Sequence, residues 1–301
     1  TEKDQGKTVE QFLRSKGYSH RLVVKLRNSP TGLTIGGELA FTIHRLQAGE
    51  ILIATLEEEN SQNIVPVELP LNIVYEDEDI LVVNKDAGVP IHPSQGHFDH
   101  TLANAVAWYY QSKGQTLVYR AINRLDRDTT GLLVIAKHLL AGCILSDQML
   151  NRQIHRQYRA IVCGKTEKEG IIDAPIGRAE DSTVLRRIDF EHGETARTRY
   201  RLLSYDEEKD LSYISLKLDT GRTHQIRVSM AEIGCPLLGD GKYGRGDVNR
   251  RYGETRQALY SYQLAFPFPT DAGALNYLRG RVFTVADVPF RDKYFPAPEA
   301  P

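Results

Sequence analysis

The densest chemistry in the sequence lies in Ile122-Asn123-Arg124-Leu125-Asp126-Arg127-Asp128-Thr129-Thr130-Gly131, just ahead of the apolar run Leu132-Leu133-Val134-Ile135-Ala136. Two carboxylates, Asp126 and Asp128, share this stretch with the guanidinium groups of Arg124 and Arg127. A carboxylate beside guanidinium groups stays ionised. In that form it can act as a nucleophile or a base. The same residues also suit a capped turn with surface ion pairs, and this segment alone leaves both readings open.

Other patterns carry less. Gly239-Asp240-Gly241-Lys242-Tyr243-Gly244 matches GxGxxG, but a dinucleotide loop must follow a strand and open a helix. Here a helical segment precedes it and a basic loop is expected after it, so we read a Gly-rich turn. Asp126-Arg127-Asp128 starts like a calcium loop, yet Thr130 stands at an acidic position and Lys137 where a bidentate Glu is required. His92, His97 and His100 have no usual zinc spacing and fall in a Pro/Gly/Ser loop, so no metal is expected. Cys143, Cys163 and Cys235 are far apart and form neither a disulfide framework nor a CxxC pair. There is no Gly-x-Ser-x-Gly elbow and no HExxH.

Those residues need a scaffold. The chain has 301 residues, 41% of them hydrophobic and 26% charged, enough to build a core without disulfide or metal staples. At about 150 residues per domain, two domains are expected. The 38 basic and 39 acidic residues nearly cancel, which excludes a wholesale polycation but leaves room for a local basic patch. No stretch is long and apolar enough for a membrane span. The polar opening Thr1 to Lys7 lacks both a starting Met and an apolar signal region, and we expect a trimmed, cytoplasmic chain.

Periodicity divides the chain. Residues 8–22 open with Thr8 as an N-cap, place Phe12 and Leu13 on an apolar helical face, and stop at Gly17. A basic segment, RLVVKLRN, and short strand-like runs around Gly36-Gly37 and up to Ala54 complete a small α+β unit over residues 1–58. Residues 59–70 are expected to link it to a larger unit, 71–301. There, Ile80–Val83, Leu132–Ala136, Gln157–Cys163 and Leu211–Leu218 have the character of strands. His138–Asn151 and Thr223–Ile233 have that of helices, with Gly234 as a stop. The segments argue α+β.

Four ordered segments carry a resemblance. Asn123-Arg124-Leu125-Asp126-Arg127-Asp128-Thr129-Thr130-Gly131 resembles the His-Arg-Leu-Asp-x-x-(Ser/Thr)-Ser-Gly signature of RluA/RluD-type RNA pseudouridine synthases. Ile80-Leu81-Val82-Val83-Asn84-Lys85-Asp86-Ala87-Gly88 resembles their opening strand and Lys–Gly turn, and Gln157-Tyr158-Arg159-Ala160 their tyrosine strand. Thr220-Gly221-Arg222-Thr223-His224-Gln225-Ile226-Arg227-Val228, then Gly239-Asp240 and Tyr243-Gly244, resembles their arginine motif. The match spans roughly residues 70–270. Three positions depart from the family pattern: Asn123, Ser229 and Tyr260 stand where His is usual. The first unit resembles more weakly the small RNA-binding module of a small-subunit ribosomal protein.

The resemblance implies isomerisation of uridine in RNA without cofactor or metal. Asp126 would be catalytic, as nucleophile or as base. Arg227 would pair with it. Tyr158 would pack on the target uracil. Arg124 would fill the gap left by the flipped base. Arg222, Arg127, Lys25 and Arg27 would meet phosphates. A mostly antiparallel central sheet with flanking helices and a cleft floored by Asp126 is implied. The expected partner is RNA, large-subunit ribosomal RNA ahead of transfer RNA, and a monomer is expected. The competing readings are an RNA-binding or ribosome-assembly factor without catalysis, and a small-molecule enzyme built on the Asp126 turn.

Overall fold

The computed structural model describes residues 1–58, 64–180 and 182–296; the first part of the expected linker, residues 59–63, lies outside them. In chain order the elements are α1 (Val9–Ser15), α2 (His20–Asn28), β1 (Leu33–Ile35), β2 (Glu38–Leu39), β3 (Leu52–Ala54), β4 (Ile73–Glu76) and β5 (Ile80–Lys85). Then come α3 (Leu102–Ser112), β6 (Thr130–Ala136), α4 (Leu139–Leu150), β7 (His155–Cys163), β8 (Glu169–Asp173), β9 (Ile176–Arg178) and β10 (Arg186–Ile188). The last are β11 (Arg197–Asp206), β12 (Leu211–Leu218), α5 (Gln225–Glu232), α6 (Gly246–Tyr252), β13 (Leu259–Phe266), β14 (Arg281–Thr284) and α7 (Pro289–Tyr294).

The α+β expectation holds. A nine-stranded sheet runs β4-β5-β6-β13-β7-β12-β11-β8, with β14 beside β13. Every pairing is antiparallel except β6 with β13. That parallel seam is two residues long, Tyr260 opposite Thr130 and Ser261 opposite Gly131. A side chain at Gly131 would collide with the Ser261 backbone, and its φ is +107°. Glycine therefore lets β6 close on β13 immediately after the Asp126 turn.

Both faces of the sheet are covered. Ile80, Val82, Leu132 and Val134 pack against Ala141, Ile144 and Leu145 of α4. Their alternating neighbours Leu81, Val83, Leu133 and Ile135 pack against Leu102, Val106 and Tyr110 of α3. This explains why β5 and β6 are continuous apolar runs rather than alternating ones. Farther along, Tyr158, Ala160, Val162, Ile214 and Leu216 bury one face under Ile226 and Met230 of α5. Each fully buried aliphatic contributes on the order of 1.5–3 kcal/mol.

Residues 1–58 hold the expected helix from Thr8 and short strands up to Ala54. Thr8 and Gln11 form a reciprocal cap at α1, each side chain bonding the other's backbone N–H. Val9, Leu13, Val23, Leu26, Leu33 and Leu46 make its core. Gly36 and Gly37, both at positive φ, turn β1 into β2. This unit is not a separate bead. Leu22 is buried in the α4 cluster, with Tyr18 and Leu56 packed on it. Ala274 N–H bonds the Lys16 carbonyl at 3.0 Å. A side chain on Gly17 would strike Ile144, and one on Gly273 would strike the Lys16 backbone.

Two local expectations need correction. The segment after Gly244 is not a basic loop but the helix α6: Asp247 lies in its first turn, Arg250 and Arg251 in its last, and Gly253 closes it at positive φ. The second helical segment of the large unit begins at Gln225 rather than Thr223, because His224 takes a left-handed backbone, φ 57° and ψ 18°.

Candidate active site

The turn ahead of β6 is tied from several sides. Thr129 N–H bonds the Asp126 carbonyl at 3.1 Å, closing the turn. The next carbonyl, Arg127, accepts from Gly88 N–H at 3.0 Å and from Lys85 Nζ at 2.8 Å. Lys85 is buried and gives its other two protons to the carbonyls of Asp86 and Val89. Burial pushes its pKa down to about 8, against the opposing pull of Asp128 and Asp126. The loop after β5 thus fixes the backbone of the Asp126 turn.

The Asp126 side chain stays about a quarter exposed. Arg227 Nη1 donates to its Oδ2 at 2.9 Å. Arg227 comes from the buried side of α5 and is itself clamped by Asp240, Nε to Oδ2 at 2.7 Å and Nη2 to Oδ1 at 2.8 Å. Burial alone would lower the Arg227 pKa. The bonds and charges of Asp240 and Asp126 outweigh it and raise the value above the ordinary one. Burial raises the Asp240 pKa, but Arg227 and the backbone N–H groups of Lys242 and Tyr243 bring it below its usual value. The structure buries Arg227 between two carboxylates, Asp126 and Asp240.

The helix is seated by Gln225, whose amide bonds Thr220 Oγ1, Arg222 N–H, the Arg197 carbonyl and Thr198 Oγ1. His224, just before it, reaches within 3.9 Å of Asp126 Oδ2 through Nε2. Its Nδ1 meets the Tyr243 hydroxyl at 2.8 Å, and that hydroxyl accepts Arg186 N–H at 2.8 Å. Burial drops the His224 pKa to about 4, despite Asp126, with Arg227, Lys242 and Arg186 adding to the drop.

Tyr158 is placed by register. Gly131 faces Ser261, which faces Tyr158, so it lies two strands from the start of β6. It is buried among Ala160, Leu216 and Ile226. Arg124 is exposed, and its charge, after burial, helps depress His92. Arg127 is also exposed but turns to Asp128 at 3.1 Å. Arg222 is held by Glu194 and by the Thr195 carbonyl at 3.1 Å. Lys25 and Arg27 sit on exposed positions of α2, Lys25 bonding the Glu57 carbonyl at 2.9 Å. The structure therefore joins Asp126 to Arg227 and leaves Lys25 and Arg27 on the other unit.

The departing positions have structural partners. Asn123 Oδ1 accepts Val134 N–H, Ser229 Oγ lies 3.2 Å from Thr198 Oγ1, and Tyr260 donates to Asn84 Oδ1 at 2.8 Å. Sequence reasoning passed over Lys85, His224, Asp240 and Tyr243 as individual residues, although all lie inside the motifs it quoted. Gly239–Gly244 is a turn whose Asp240 holds Arg227, and among the described residues no three His, Cys, Asp or Glu side chains converge as a metal site. Among the same residues, no helix is long and apolar enough to cross a membrane.

A polar turn on a mixed sheet, with a carboxylate braced by a doubly held arginine, defines a class that comparison identifies. Residues 79–232 match the RNA pseudouridylate synthase family model. The chain belongs to that family, in its RluA/RluD-type branch, and is an RNA pseudouridine synthase that isomerises uridine within RNA. It is 38% identical over 264 residues to the RNA pseudouridine synthase YjbO of Bacillus subtilis, covering 87% of this chain and 91% of that one. It is also 38% identical to ribosomal large subunit pseudouridine synthase D of Vibrio cholerae, over 77% of this chain and 74% of the other. Among solved structures it is similar to human RNA pseudouridylate synthase domain containing 1, with a TM-score of 0.59 and 27% identity, covering 72% and 84% of the two chains.

Proposed function

We propose that this enzyme converts specific uridines of large-subunit ribosomal RNA to pseudouridine, with Asp126 as its catalytic carboxylate. The observation that carries the residue assignment is the Asp126–Arg227–Asp240 chain: a partly exposed carboxylate held from behind by a buried cation, itself locked by a buried anion. Such bracing fixes Asp126 in place, so little reorganisation is needed when it meets the nucleotide. The choice of RNA rests on several relatives named ribosomal large subunit pseudouridine synthase D.

The remaining roles are carried over from the family motifs. Tyr158, buried on the strand beside the Asp126 seam, would turn its ring to the uracil when substrate binds. Exposed Arg124, two residues before Asp126, fills the space the extruded base vacates. Target uridines in loops or bulges lower the cost of extrusion. Residues 1–58 serve as an RNA-gripping module through Lys25 and Arg27, and Arg127 and Arg222 add phosphate contacts once their present partners are exchanged. Residues 71–301 form the catalytic unit.

The test uses RNA from a strain lacking the enzyme. Treatment with the purified protein, followed by chemical labelling and sequencing, should reveal new pseudouridines in large-subunit ribosomal RNA. Asp126→Asn should make none while still binding RNA. New sites confined to transfer RNA would overturn the substrate assignment, and an active Asp126→Asn would overturn the residue assignment.

A further inference from the structure

We propose that His224 is a positioning residue for Asp126: its neutral ring, fixed by the Tyr243 hydroxyl as the tautomer protonated on Nε2, offers an N–H to the carboxylate oxygen that Arg227 also holds. This deepens the reading of Asp126 as the catalytic carboxylate and rests on it.

The tautomer follows from counting protons. The Tyr243 hydroxyl accepts Arg186 N–H at 2.8 Å, and its only other polar partner among the described residues is His224 Nδ1, also at 2.8 Å. We assign the hydroxyl proton to this contact, so that Nδ1 accepts it. In a neutral imidazole the remaining proton then sits on Nε2. Nε2 is the nitrogen that faces Asp126, 3.9 Å from Oδ2. The ring is kept uncharged by burial and by the surrounding cations Arg227, Lys242 and Arg186.

Both basic side chains converge on one oxygen. Arg227 Nη1 is 2.9 Å from Oδ2, and His224 Nε2 approaches the same atom. Among the described residues no side chain donates to Oδ1. The carboxylate is thus held by one oxygen and free at the other, and Oδ1 is the atom left to react. The 3.9 Å gap closes with a small rotation of either side chain, the kind of tightening expected when substrate completes a site.

The backbone supplies an independent sign. His224 holds a left-handed conformation that non-glycine residues avoid, immediately before α5. Such strain persists only where the surroundings impose it. Here the following residue, Gln225, is anchored to Thr198 of β11, while Tyr243 holds the ring by hydrogen bond and by an edge-on contact with centroids 5.6 Å apart. Tyr243 also lies under the Arg227 guanidinium, 5.2 Å from ring centroid to Cζ, so one tyrosine braces both groups that hold Oδ2.

The experiment combines rate and spectrum in the full-length enzyme. Total RNA labelled with 5-tritiated uridine, from a strain lacking the enzyme, releases tritium when carbon 5 bonds the sugar. Single-turnover release should fall roughly 10- to 100-fold in His224→Ala, the scale of a reacting group misplaced by about 1 Å, with RNA affinity within about 2-fold of the parent. His224→Gln, which restores an N–H near Nε2, should recover most of the rate. Nitrogen-15 spectra of ring-labelled histidines, with His224→Gln to assign the signal, should show the Nε2–H tautomer and its loss of dominance in Tyr243→Phe. A parent-like rate in His224→Ala overturns the proposal, as does a protonated Nδ1 in the parent spectrum. If His224→Ala fails to fold, a roughly 10- to 100-fold rate loss in His224→Gln together with an unchanged tautomer in Tyr243→Phe overturns it instead. Asp126→Asn, run alongside, separates the two levels: unimpaired release there sinks the Asp126 reading, whereas no release there with parent-like release in His224→Ala sinks only this one.

Discussion

Asp240 grips Arg227 at two points, 2.7 and 2.8 Å, on the far side of the guanidinium from Asp126. The geometry makes Arg227 a rigid strut rather than a mobile surface cation, since both ends of its fork are occupied by carboxylates inside the protein. Flat, two-point pairing of this kind suits arginine and not lysine.

Asp240→Ala should therefore destabilise the protein well beyond a surface change. It leaves a buried guanidinium with one carboxylate in place of two, and breaking a buried pair costs about 3–5 kcal/mol. Urea unfolding of the variant measures this directly. A loss below about 1 kcal/mol would mean that water replaces Asp240 without difficulty.

Gly131→Ala tests the parallel seam. The added methyl would meet the Ser261 backbone in a conformation with φ of +107°. Overpacking alone costs about 1–3 kcal/mol, and the backbone here adds to it. Denaturation should show a loss of at least about 2 kcal/mol, and pseudouridine formation should fall as the Asp126 turn shifts.

His224 predicts an acid limb in stability. Its folded pKa, about 4, lies below the ordinary histidine value because the ring is buried. Between those two values the unfolded chain binds a proton that the folded one does not, so stability falls as pH drops from about 6.5 to about 4 and this contribution flattens below. His224→Gln removes the group and should flatten that limb. An unchanged profile from unfolding curves across pH 4–7 would assign the limb to other groups.

Arg27→Ala tests the first unit. Arg27 is exposed on α2, and a lost phosphate contact on single-stranded RNA should reduce the slope of log affinity against log salt by about 0.7. Filter binding from low to moderate salt reads both the weaker affinity and the shallower slope. Equal slopes for variant and parent would remove Arg27 from the RNA contact.

The sequence exposed some of this architecture and hid the rest for identifiable reasons. The continuous apolar runs of β5 and β6 were legible because both faces of these strands are buried, which leaves no polar alternation to misread. α1 announced itself through the Thr8 cap, the apolar Phe12 and Leu13 and the Gly17 stop. By contrast, α6 is short and carries Arg250 and Arg251, so its apolar signal is weak; what defines it is charge placement and Gly253. α3 went unrecognised although Thr101 and Asn104 form a reciprocal cap, because a Pro/Gly/Ser loop precedes it. At the site, Asp126 and Arg227 were found through motifs. The clamp from Asp240 and the Tyr243–His224 contact join residues 13 and 19 positions apart, and only the folded loop sets them face to face.

The glycine seam joining Lys16-Gly17 to Ile144 and Gly273 makes the chain resemble a caliper with a fixed jaw. There is no room for even a methyl group there, so the contact is made backbone to backbone and backbone to Ile144. On the proposed reading of Lys25 and Arg27, RNA held along α2 would reach the Asp126 turn at a set offset. A uridine would then be selected by its distance from the held stretch as much as by its neighbours, and lengthening or shortening the RNA between the two points by a nucleotide would move the modification to a different base.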